Sequence, residues 1–376
     1  MDQIISNINL LIAYPTANLS IIIDGIMIGA LFALAAYGLA LVWGVMNVKN
    51  LAQGDFVIGG GYISWWLVNN VGIHPFVGIP IAAIVMALLA GALHGSVVHR
   101  WALSQRKAMI GLSIISFLVL AIGVYIHDVG SLFGMEFSPA AQDRAQSFAG
   151  FAGIVLTFLI IVNGGIYNLV ISRVLERDLF TSLLSTFGLA IMMAQIMNLL
   201  FGSDTQSLDL NYSNIDLAPG VSIPVAKLVG AAFALLLAGF VILFMRNSRM
   251  GQAIRATAQD ARAARVLGID TEKVYAFTFS LNAAICGAAG AIIVMIWVIQ
   301  PFYGITYSIR AFVIVTAAGL GNLPGVIAAG LGLGAAEQYG GFIFGIQYQQ
   351  AIAVMLLILV LIYRLMQQRK QRQVLQ

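Results

Sequence analysis

Charge is what this 376-residue chain has least of: 9% of its residues are Asp, Glu, Lys or Arg, against about a quarter in an ordinary soluble domain. Together with 60% hydrophobic residues and a mean hydropathy of +0.95, that scarcity excludes a water-soluble globular domain and requires a helical protein that crosses a membrane many times. Cysteine is almost absent. Cys286 is the only one and lies in an apolar run, which excludes an intrachain disulfide and a cysteine metal site. The four histidines, His74, His94, His99 and His127, lack the H-E-x-x-H spacing, and no metal is assigned. No glycine is followed by lysine, so the phosphate loop G-x-x-x-x-G-K-[ST] is missing and the chain is not expected to be an ATP-hydrolysing enzyme. No Lys or Arg precedes Lys49. The basic start of a cleavable signal peptide is therefore lacking, and the first apolar run is expected to stay as a span.

What is present is a succession of apolar runs, each close to the roughly 20 residues that cross a bilayer core as a helix. Spans are expected near 20–44, 56–71, 76–98, 108–126, 148–171, 180–201, 225–245, 274–299 and 343–363. The fold class is all-α: a polytopic helical membrane protein of about nine transmembrane helices, forming one domain over 1–376. A further apolar stretch, 310–338, is interrupted by Gly319-Leu-Gly-Asn-Leu-Pro-Gly325. This predicts two half-helices meeting at a turn, a re-entrant or broken helix that lines the interior, because open backbone at membrane depth needs protein or a water-filled cavity to satisfy it.

The few charges are unevenly placed. Lys49, Arg100, Arg106, Lys107, Arg173, Arg177, the Arg246 to Lys273 cluster, Arg364, Arg369, Lys370 and Arg372 fall on one side of those spans. The opposite loops carry Asp128, Glu136, Asp143, Asp204, Asp209 and Asp216. Arg144, Lys227 and Arg310 are the exceptions. The positive-inside rule then predicts an N-terminus outside and a C-terminus in the cytoplasm. Orientation also explains the net charge of +4 without a nucleic-acid partner.

The longest polar island is 246–273, RNSRMGQAIRATAQDARAARVLGIDTEK, too long for an ordinary turn. Arg249, Arg255, Arg262 and Arg265 alternate with helix-forming Ala, Gln and Leu, so a short amphipathic helix is expected, with Gly251 and Gly268 bracketing it. Asp260 is expected to pair with Arg255 or Arg262 within the loop, or to contact the protein that docks there. Such a loop docks either protein or anionic membrane lipid.

Elsewhere, Gly59, Gly60 and Gly61 weaken a helix by about 1 kcal/mol each and predict a break or hinge in the second span. Gly25 with Gly29, and Gly287 with Gly290, give small faces for close helix packing. A charge at the membrane centre costs roughly 2.5 kcal/mol or more, which singles out Asp24, Gln195, Asn198, Asn282, Arg310 and Glu337 among the polar residues in apolar runs. Glu337 is placed to pair with Arg310. Gln195 and Asn282 are suited to bonds between helices.

Three stretches resemble one family. Gly38-Leu-Ala-Leu-Val-Trp-Gly-Val-Met-Asn-Val-Lys-Asn-Leu-Ala-Gln-Gly-Asp55, followed by Gly59-Gly-Gly-Tyr62, resembles the entrance of the permeases of branched-chain amino acid ABC importers. The 251–270 segment is similar to that family's loop G-x-A-x-R-A-x-x-x-D-x-x-A-A-x-x-x-G-I, and Gly319 to Gly325 to its late glycine-rich broken helix. Two departures stand out. Gln53 occupies the place of a family histidine, which removes a titratable group, and the 101–150 segment is longer than the pattern.

The resemblance implies one permease subunit in a bacterial inner membrane. Its implied partners are a second homologous permease (or a second copy of this chain), two cytoplasmic ABC ATPase subunits that carry the ATP and Mg, and a periplasmic solute-binding protein. No cofactor is expected on this chain itself. The 246–273 loop becomes the ATPase-coupling element, carried by Arg249, Gly251, Arg255, Asp260, Arg262, Arg265 and Gly268. Gly59, Gly60, Gly61, Gln195, Asn282, Gly319, Gly321 and Asn322 become candidates for the translocation path. The implied solutes are branched-chain or other small aliphatic amino acids, with urea or short amides as the alternative inside the family. Outside it, an ion-driven secondary transporter is the alternative, though such a protein needs coupling carboxylates near the midplane and few deep acids are available.

Overall fold

The computed structural model describes residues 2–46, 50–94, 179–208, 214–218, 221–319 and 321–374. The spans expected near 108–126 and 148–171, and the long 101–150 segment, lie outside these residues. The described helices are α1 (Asp2–Ala13), α2 (Pro15–Met46), α3 (Gln53–Trp66), α4 (Pro75–His94), α5 (Leu179–Phe201), α6 (Val225–Asn247), α7 (Arg249–Gln259), α8 (Ala261–Val266), α9 (Thr271–Ile293), α10 (Gly304–Ala318), α11 (Leu323–Phe344) and α12 (Gln349–Val374). A two-stranded antiparallel hairpin, β1 (Asn214–Ala218) and β2 (Val221–Pro224), precedes α6. Among the described residues, five segments are long and apolar enough to cross a membrane: Thr16–Met46, Val225–Asn247, Thr271–Ile293, Pro301–Ala318 and Ile346–Arg364. The chain is a multi-pass helical membrane protein.

Helix α2 is the central mast. Its first half runs antiparallel to α11 with almost no side chain between them. A methyl group at Gly25 would sit 2.6 Å from the Cα of Ala335, and one at Gly29 2.8 Å from that of Leu331, while Gly330 abuts Ala33. Two small-xxx-small stripes, Gly25/Gly29 and Gly330/Gly334, thus face each other, which lets dispersion contacts between backbones replace the hydrophobic drive that lipid cannot supply. Further along, the Tyr37 hydroxyl donates to the carbonyl of Leu323 at 2.8 Å.

These contacts fix two ends. At one lie α7, α8, the 319–322 turn and Arg364, whose Nη2 donates to the carbonyl of Ala317; this is the arginine end. At the other lie the β-hairpin, Asp24, Lys227 and the end of α11; this is the hairpin end. From α10 to α12 the chain descends to the arginine end, returns, and descends again. The C-terminal helix therefore finishes on the same side as α7 and α8.

Where the backbone departs from the sequence expectation, packing is the reason. The Gly59-Gly60-Gly61 run does not break: α3 is continuous through it, and Gly60 and Gly61 let α9 come close. A methyl at Gly60 would strike Gly287, and one at Gly290 the carbonyl oxygen of Val57. The disruption in the second span falls instead at Leu67–Val71, a π-helical turn ended by Gly72 at φ 74°. The eighth span stops at Ile293, short of 299. From there the chain runs irregularly and exchanges backbone hydrogen bonds between Ile299 and Gln206. The last helix begins at Gln349, after α11 has continued to Phe344. Helix α1 is an addition to the expected set.

Candidate functional site

At the arginine end the 246–273 island forms two helices and not one. Ser248 caps α7, its Oγ accepting from the Gly251 N–H at 2.8 Å. Gly251 is required there, because any Cβ would press on the backbone of Met245 at the foot of α6. The chain then kinks at Asp260. This carboxylate does not pair with Arg255 or Arg262 as the sequence suggested. It accepts from the backbone N–H groups of Arg262 (2.7 Å) and Ala263 (3.1 Å) and so caps α8. The N–H groups of Ala263 and Arg262 hold its carboxyl below the usual carboxylate range. Gly268, at φ 86°, closes α8 in the left-handed region, and Asp270 caps α9.

This pair of helices is amphipathic. Ile254, Thr257 and Ala264 are buried against the membrane helices. Arg249, Arg255, Arg262 and Arg265 are exposed, and next to them Val266 and Leu267 are 88% and 79% exposed. An apolar pair is thus held out beside four guanidinium groups. Between α7, α2 and the 319–322 turn lies a cavity of about 310 Å³, whose wall includes Arg246, Arg255, Ala258, Gly44, Gly321 and Pro324. Gly319 (φ 91°) and Gly321 (φ 80°) shape this turn, and Asn322 caps α11 by accepting from the Gly325 N–H at 3.0 Å.

The interior holds a second group. Helix α3 has 14 residues before its π-helical turn, and α10 has 15 after the turn at Pro301–Tyr303. Their first turns meet: the Gly54 N–H donates to Ser308 Oγ at 2.8 Å, and Ser308 Oγ donates to the carbonyl of Leu51 at 2.7 Å. The Asp55 carboxylate lies against Gly304, where α10 begins and where the positive end of a helix dipole favours an anion. On the other face of α3, Gln53 Nε2 donates to the carbonyl of Ala35 (2.8 Å) and to Cys286 Sγ (2.7 Å), and Cys286 Sγ donates to Asn282 Oδ1 (3.5 Å). Gly38 is the small residue that admits both amides. Gln53, Asp55 and Asn282 are at most 2% exposed.

The structure therefore brings Gly60, Gly61 and Asn282 into one interior seam, turns Gly59 toward Met86 and Met197, puts Gly319, Gly321 and Asn322 at the arginine end, and leaves Gln195 exposed on α5. Asp55 and Ser308 were not singled out by sequence reasoning. The signal for Asp55 was available, as a carboxylate within an apolar run. A third polar group lies at the hairpin end, where Lys227 Nζ meets Asp24 Oδ1 at 2.6 Å. Between the two ends, Arg310 and Glu337 form the buried ion pair that their positions suggested.

The chain is 27% identical over 91% of its length, and 92% of the relative's, to the high-affinity branched-chain amino acid transport system permease protein BraD of Pseudomonas aeruginosa. It is 26% identical over 90% of its length, and 91% of the relative's, to the permease protein LivH of the corresponding Escherichia coli K12 system. A probable branched-chain amino acid transport permease LivH of Methanocaldococcus jannaschii is 23% identical over 84% of this chain and 79% of that one. Residues 21–361 match the family described as branched-chain amino acid transport system, permease component. That match covers the mast, the interior seam and the arginine-end helices, and the chain belongs to this family.

Proposed function

We propose that this chain is the membrane-spanning permease subunit of an ATP-driven, binding-protein-dependent importer of branched-chain or other small aliphatic amino acids in the bacterial inner membrane. The arginine end faces the cytoplasm and the N-terminus the outside. The observation that carries the reading is the α7–α8 element. It is capped at each start, packed by Ile254 and Ala264 onto the spans, and presents Val266, Leu267 and four arginines outward. An importer that takes its energy from separate ATPases needs such a rigid lever. Two ATPase subunits, which carry ATP and Mg, dock on it and on its counterpart in a second permease subunit. A periplasmic binding protein delivers solute at the hairpin end. The meeting first turns of α3 and α10, with Gln53, Asp55 and Asn282 beside them, support a solute path through the interior, as irregular backbone at membrane depth does in other transport proteins.

The test is reconstitution. Vesicles holding this chain with its co-purifying ATPases and second permease should take up labelled leucine only with ATP inside and binding protein outside. Uptake by this chain alone, driven by an ion gradient without ATP, would overturn the proposal.

A further inference from the structure

We propose that the cavity at the hairpin end is a reception site for the zwitterionic head of an aliphatic α-amino acid, with Asp24 and Lys227 as its two poles. This inference rests on the importer reading and narrows its substrate class.

The cavity measures about 420 Å³, within the roughly 300–1,000 Å³ of small-molecule sites. Four helices each send one polar side chain into a single chain of bonds. Lys227 of α6 donates to Asp24 Oδ1 of α2 at 2.6 Å; Gln338 Nε2 of α11 donates to Asp24 Oδ2 at 2.9 Å; Gln349 Nε2 of α12 donates to Gln338 Oε1 at 2.9 Å. The rest of the lining includes the apolar Ile21, Ile223, Phe342 and Ile346 together with Ser20 and Ser222.

The charged pair is partly open, its side chains 22% and 27% exposed, so a solute in the cavity reaches both ends. An ammonium carries three donors and a carboxylate about four acceptor sites, which leaves both poles with capacity beyond their mutual bond. A zwitterion inserts its ammonium toward Asp24 and its carboxylate toward Lys227 and Gln349, and no charge is left uncompensated. An amine alone strands Lys227, and a carboxylate alone strands Asp24. That penalty is what makes specificity against either fragment. Neutral amides and urea have no charge with which to part the pair. The aliphatic side chain then lies along Ile223 and Phe342.

The experiment is equilibrium binding of labelled L-leucine, at up to millimolar ligand, to the reconstituted full complex without its binding protein. Competitors are 4-methylpentanoate, which lacks the ammonium, and isoamylamine, which lacks the carboxylate. Unlabelled leucine should outcompete each by about tenfold or more, the worth of one hydrogen bond to a charged group. Asp24→Asn should close the gap between leucine and 4-methylpentanoate, and Lys227→Met the gap between leucine and isoamylamine. Lys227→Arg should keep it. A pair with a purely structural role would lower all three affinities by one factor, and that result overturns the proposal. So does an absence of leucine binding in vesicles that import leucine with ATP and binding protein. Those vesicles also separate the two ideas, since the importer reading fails only if ATP-dependent uptake itself is missing.

Discussion

Arg310 and Glu337 are joined across the α10–α11 hairpin, the Nε–H of Arg310 lying 3.0 and 2.9 Å from the two carboxylate oxygens, while the guanidinium stacks 4.7 Å from the ring of Phe32 on the mast. Glu337 is 3% exposed. Removing one partner of a buried pair costs about 3–5 kcal/mol, since the other charge is stranded. Arg310→Glu and Glu337→Arg should each abolish uptake and lower the thermal midpoint of the purified complex. Uptake should return in the double reversal. Single variants with normal uptake would show that the hairpin does not depend on the pair.

The α3–α9 seam has no room for side chains. Gly290→Leu should overpack it by about 1–3 kcal/mol and reduce both yield and uptake. Gly239→Leu on α6, where no described atom lies within 4 Å of an added Cβ, should be close to neutral. Equal behaviour of the two variants, compared by monodisperse yield in mild detergent, would mean that α3 and α9 are not in backbone contact.

Cys286 is fully buried and accepts a hydrogen bond from Gln53. Only an accessible thiol that can ionise reacts readily. A maleimide mass tag should therefore leave the native protein unmodified and add once after denaturation. Rapid tagging of the native protein would place the α9 core in contact with water.

The Asp260 cap gives a pH prediction. Its carboxyl titrates below the usual range in the folded loop, so the cap's contribution is complete above the ordinary carboxylate value of about 3.9. It is lost only as pH falls through the lower folded value. Protection of the Arg262 and Ala263 amides, corrected for intrinsic exchange, should be flat from neutral pH down to about 4 and fall below that. Loss of protection near neutrality would contradict the cap. At neutral pH, Asp260→Asn should keep ATP hydrolysis coupled to uptake, because asparagine caps as well, whereas Asp260→Ala should loosen it.

Several of these relationships were legible in the sequence and others were not, for physical reasons. The broken stretch around Gly319 to Gly325 declared itself because a Gly-x-Gly-Asn-x-Pro-Gly string leaves a helix little choice. Gly25 and Gly29 also announced a packing face. Gly59, Gly60 and Gly61 misled, since helix propensity describes an isolated segment, and here tight contact with Gly287 and Gly290 keeps α3 intact. Asp260 was assigned to a guanidinium because side-chain charges can be counted along a sequence, while the free N–H groups of a helix start become visible only once its first residue is known. Lys227 was merely an exception to the charge rule until Asp24 appeared beside it.

The central claim is that the α7–α8 element lies in the cytoplasm and receives the ATPases. Ala258 is exposed on α7, and the native Cys286 is buried, so Ala258→Cys provides one reporter thiol. A membrane-impermeant maleimide added to intact cells should leave it unmodified, the same reagent applied to inverted vesicles should label it, and bound ATPase subunits should protect it. Labelling from outside intact cells would contradict the topology and, with it, the assigned role.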